Sequence, residues 1–217
     1  MSKAIRETVI WENLNLLKAT RARTLELVGG LTQGQMDWEP QPGKWSAGEQ
    51  LDHLRLAASL YHNQIAELVA LARAGQPTEI RRTMREIDFR PNFIPASALP
   101  MFEIPFTVAN LFIPTLMREL LTRYAILPAQ RPDVAQPVRG KVKAVLTGAL
   151  NKSLVETVNL IEDNHNLPFS RMIVEHPVLG RSHVPFLIKL TALHEQRHQA
   201  QLAAILLKVP RAGPAAA

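Results

Sequence analysis

The 217-residue sequence contains no cysteine. Disulfides, thiolate metal sites, iron–sulfur clusters and a cysteine nucleophile are therefore excluded. A reducing, cytoplasmic location is the expectation that fits. Long apolar runs are also missing. The best stretch, Ile104 to Met117, is broken by Pro105 and Pro114 and falls short of the ~20 residues that span a bilayer. No stable membrane insertion is expected. No apolar core follows the early charges Lys3, Arg6 and Glu7, so no signal peptide is expected either. Beyond His198 the chain carries no histidine, aspartate or glutamate, a gap that matters below.

What is present is enough apolar material for a sizeable core, at 47% of residues, and a net charge of +6. A basic balance attracts nucleic acid, anionic lipid or acidic small molecules. The arginines are scattered, however. The densest cluster, Arg81, Arg82, Arg85 and Arg90, matches no nucleic-acid-binding motif. A nucleic-acid partner is not expected.

Helical periodicity dominates. A first helix is expected from about Ala4 to Gly29, with Ile5, Val9, Leu16, Leu17, Leu25 and Val28 on its apolar stripe. Turn residues fill the loop that follows. Ser46 with Glu49 three residues on forms a capping box, and a second helix runs from there to about Ala74. Prolines at 77, 91, 95, 100 and 105 forbid a long helix across 76–106. An extra helix is expected over Thr107 to Tyr124, then a second proline-containing stretch from Pro128 to Pro137. Two more helices follow, from Thr147 to about His165 and from Ser182 or His183 to about Lys208. No strand-like alternation persists. The expected fold is an all-α four-helix bundle with an extra helix and long proline-containing connections. It forms a single domain over 1–209, and a disordered tail is expected over 210–217.

Two of the seven histidines, His194 and His198, stand four apart in the last helix. Residues so spaced share a face, about 5–6 Å apart at Cβ. Two imidazoles there can converge on one metal ion at about 2.0–2.1 Å each. Such pairs also occur as simple hydrogen-bonded or solvated groups. Read literally, His194-Glu195-xx-His198 matches the zinc metallopeptidase motif, with Glu195 as general base. That motif needs a further, normally downstream ligand, and none exists. A third ligand must come from upstream, where His53 is the best candidate, although a lone histidine on a semi-apolar helix is more often structural. His62, His165 and His176 have no partner spacing, and His183 falls at a helix start.

Three blocks now resemble one family. Gly43-Lys44-Trp45-Ser46-Ala47-Gly48-Glu49-Gln50-Leu51-Asp52-His53-Leu54 resembles the opening of the second helix in the DinB-like superfamily. His176-Pro177-Val178-Leu179-Gly180 is similar to the loop before its last helix, and His194-Glu195-Gln196-Arg197-His198-Gln199-Ala200-Gln201-Leu202 to its C-terminal histidine pair. The resemblance implies an up-down-down-up bundle, often a homodimer, with a metal bound by His53, His194 and His198. Zinc or nickel is favoured, with iron or manganese as alternatives. It also implies a small-molecule substrate and, by analogy with thiol-dependent transferases and isomerases of the superfamily, a low-molecular-weight thiol. A non-catalytic metal- or ligand-binding bundle and a metal-dependent hydrolase are the competing expectations. Arg139, Lys141 and Lys143 form a basic group that either holds substrate carboxylates or is simply solvated. Phe102, Phe106 and Phe112 either line a pocket or pack in the core. Trp45 is expected to pin the start of the second helix.

Overall fold

The structure, a computed structural model, describes residues 3–82, 119–120, 135–176 and 180–210. The expected extra helix falls largely outside these residues, apart from helical Glu119 and Leu120. So do most of the proline-containing connections, Phe102, Phe106, Phe112 and the C-terminal tail.

Four long helices form the bundle: α1 (Lys3–Gly29), α3 (Ala47–Arg73), α4 (Lys143–Glu162) and α5 (Val184–Leu206), with a short α2 (Gln33–Asp37) after the first. Helix α1 packs most extensively on α5, and α3 on α4; α3–α5 and α1–α4 contacts complete the ring. Ser46 caps α3 as expected: its hydroxyl accepts the Glu49 N–H, and the Glu49 carboxylate accepts the Ser46 N–H at 2.9 Å.

Three features differ from the sequence expectation. Helix α2 lies within the expected loop and has its own capping box between Thr32 and Gln35. Helix α4 starts four residues before Thr147, because Val142 at its N-cap offers no side-chain cap to mark the boundary. A small sheet also forms from β1 (Glu79–Arg81), β2 (Ile173–His176) and β3 (Gly180–His183), in that order. Strands β1 and β2 are parallel, β2 and β3 antiparallel, with Ile80 opposite Val174 and Val174 opposite Ser182. Strands of three or four residues are too short for alternation to stand out.

The buried apolar side chains fall into two clusters. One contains Leu14 and Leu17 of α1, Ile65 and Leu68 of α3, Ile161 of α4 and Leu187 of α5, closed by Ile80 and Val174 of the sheet. The other contains Val28, Met36, Leu51, Leu54, Leu146, Leu150, Leu202 and Ile205. Between them along the helices lie buried polar residues: Thr20, Arg21 and Thr24 on α1, Ser153 and Thr157 on α4, and Glu195 and His198 on α5. This polar layer positions the site.

Candidate metal centre

The first turns of α3 carry Gln50, Asp52 and His53, all buried. The cap at Ser46 fixes where those turns begin, and so where the side chains point. Gly48 helps: a Cβ there would lie 3.2 Å from the Met36 carbonyl oxygen, so a bare backbone lets α2 approach closely. Helix α5 supplies His194 and His198 one turn apart.

The structure brings His53, His194 and His198 together, with one ligand-capable nitrogen of each within 4.8 Å of the others. His53 Nε2 lies 3.3 Å from His194 Nε2, which lies 3.2 Å from His198 Nε2. The other nitrogens of His53 and His198 are turned outward. His53 Nδ1 donates to the Ala135 carbonyl at 2.7 Å. His198 Nδ1 donates to the Gln50 side-chain oxygen. A carbonyl oxygen only accepts, so both rings carry their proton on Nδ1 and present a bare Nε2 lone pair inward. Three such nitrogens share at most the single Nε2 proton of His194. A cation satisfies all three at once. Nitrogens each about 2.0–2.1 Å from a tetrahedral ion stand about 3.3–3.4 Å apart, which the observed spacings match. The donor set therefore fits a divalent transition metal.

Burial, followed by His53 and Arg197 nearby, holds the His194 imidazole neutral down to about 3. The Trp45 ring covers the cluster, with centroids 4.9 Å from His53 and 6.4 Å from His198. It does more than pin a helix end: it sets an apolar face beside two of the histidines.

A strap supports His53. Asp52 accepts hydrogen bonds from the Val138 N–H at 2.9 Å, Lys141 at 2.8 Å and Arg55 at 2.9 Å. Burial alone would raise its carboxyl, but these donors outweigh burial and hold it below the ordinary 3.8. The segment so held is the one whose Ala135 carbonyl orients His53. Arg139 pairs with Glu39 and Glu49, and Lys143 donates to the Gly29 and Leu31 carbonyls at the end of α1. The basic group is thus engaged in ion pairs and backbone hydrogen bonds at the surface.

Glu195 lies away from the histidines. Its carboxylate makes a two-pronged pair with Arg21 at 2.8 and 2.9 Å, both residues almost wholly buried. Arg21 also donates to the Leu150 carbonyl and reaches Ser153 Oγ at 3.4 Å. A glutamate so engaged serves the packing of α1 on α5, which speaks against the metallopeptidase reading of the motif. His62 bonds Thr157 at 3.0 Å, beside a cleft with room for about one water. His165 bonds the Glu162 carbonyl, His176 lies in β2 and His183 is the N-cap of α5.

Sequence reasoning missed Gln50, the Ala135 carbonyl and the Arg21–Glu195 pair. Gln50 stands three residues before His53, on the same side of a helix, which is the one available signal. A backbone carbonyl leaves no mark in a sequence.

A family model described as the DinB superfamily matches residues 16–202. No curated protein and no solved structure matches the chain.

Proposed function

Because the chain belongs to the DinB superfamily and gathers three histidine Nε2 atoms, we propose that it is a metal-dependent enzyme that activates a small-molecule thiol against an electrophilic substrate. His53, His194 and His198 hold the ion. Three neutral imidazoles suit zinc or nickel, with iron or manganese as alternatives. The convergence of the three Nε2 atoms, with two Nδ1 protons already committed elsewhere, carries this reading.

Three protein ligands leave a coordination position for a substrate, as in catalytic rather than closed structural sites. When bound, such an ion lowers the pKa of a coordinated thiol and makes thiolate available near neutral pH. The chain supplies the rest. Ala135 and Gln50 hold two rings in the ligating tautomer, and Trp45 shields their flank. With no cysteine in the chain, the nucleophilic sulfur must arrive as a cosubstrate.

Metal analysis of the purified protein and a thiol–electrophile conjugation screen test this. Expected are equimolar metal, its loss in His53→Ala and His198→Ala, and conjugation that needs the metal. A protein that takes up no metal overturns the proposal at its base. Metal uptake without conjugation overturns the enzymatic part and leaves a metal-binding bundle.

A further inference from the structure

We infer that Gln50 is a positioning residue for His198: from α3 it sets the tautomer of a ligand on α5. The inference rests on the metal-site reading above and concerns the chain's own hydrogen bonds.

Three observations carry it. The Gln50 side-chain oxygen is the partner of His198 Nδ1, across 148 residues of sequence. Both side chains are buried, at 6% and 4% exposure, so water does not readily replace the bond. His198 Nε2 faces His194 Nε2 at 3.2 Å, so the proton position on His198 decides whether a lone pair or an N–H points into the cluster.

A glutamine amide is two-faced. With its oxygen toward His198 it accepts the Nδ1 proton and leaves Nε2 bare. With its NH2 toward His198 it donates to Nδ1, and the ring proton moves to Nε2, where it blocks ligation. Only the first arrangement suits a cation. Gln50 therefore offers an acceptor without adding a charge, so the metal-free protein carries no buried anion here. A carboxylate at this position would accept only, lock the tautomer and raise the basicity of the imidazole. His53 is held differently, by the backbone carbonyl of Ala135, so the same function is served by two kinds of group.

The test compares wild type, Gln50→Met and Gln50→Glu. Nitrogen-15 spectra of the metal-free proteins report the His198 tautomer, and zinc titration reports affinity. In wild type the Nδ1–H form is expected. In Gln50→Met the Nε2–H form should gain population, and zinc affinity should fall by about ten- to a hundred-fold. Gln50→Glu should restore both the tautomer and the affinity. It should also lower the melting temperature of the metal-free protein and recover it with zinc, since zinc adds a divalent partner to the site of the buried carboxylate. An unchanged His198 tautomer and unchanged zinc affinity in Gln50→Met overturn the inference. If wild type binds no zinc, the metal-site reading fails, and the tautomer comparison still decides the role of Gln50. A merely structural Gln50 would move the melting temperature of both variants and leave the tautomer alone.

Discussion

The two apolar clusters and the polar layer between them are built on different principles. In the clusters, side chains such as Leu14, Leu68 and Ile161 are buried by shape and area alone. In the layer, each buried group has an assigned partner on another helix: Arg21 with Glu195, His198 with Gln50, Gln199 with Thr20. Apolar packing is adaptable, because a lost contact is partly recovered by relaxation. A buried polar group is not, because losing its partner leaves the full cost of desolvation. The clusters supply cohesion, and the layer fixes how the helices are set against one another.

The sharpest way to break this contrast is at Arg21. Arg21→Met leaves Glu195 buried and unpaired, and should cost about 3–5 kcal/mol in urea unfolding. Adding Glu195→Leu should recover most of it, since a well-packed apolar pair replaces a buried ion pair with little loss. If the double variant stays as unstable as the single, the layer is held by something other than this pair.

In the apolar cluster, Leu68→Ala should cost about 2–5 kcal/mol by cavity formation, while equimolar zinc binding persists. Loss of metal in that variant would show that the two kinds of core are not separable.

The strap gives a pH-dependent comparison. Asp52 is held below its ordinary 3.8 by its donors. The stability it adds is therefore fully present above 3.8 and lost as pH falls through the lower, folded value. The stability gap between wild type and Asp52→Asn should be widest near neutral pH and close on acidification below 3.8. A gap independent of pH would assign the effect to packing. Smallest of all, Ser46→Ala removes the α3 cap and should cost about 1 kcal/mol, measured by thermal unfolding.

Legibility in the sequence follows the range of the interaction. Local signals were readable: the Ser46–Glu49 cap, the stop at Gly29 and the i, i+4 pair of His194 and His198 all lie within one turn. Where a local signal was missing, as at Val142, the boundary of α4 moved. Helix α2 has a cap as good as that of α3, but five residues are too few to show a period. His53 was only the best upstream candidate until the resemblance of a whole block joined it to the pair, since one histidine carries no spacing. Gln50 and Glu195 form contacts 148 and 174 residues apart. Nothing in a single chain read residue by residue announces such pairs.

The use of a main-chain carbonyl at Ala135 bears on how this site can change over generations. The acceptor that orients His53 belongs to every amino acid, so drift at position 135 is limited by the small buried space around it and not by hydrogen bonding. Position 50 has no such freedom, because the acceptor there is the side chain itself. The two supports of the histidine cluster therefore tolerate substitution unequally.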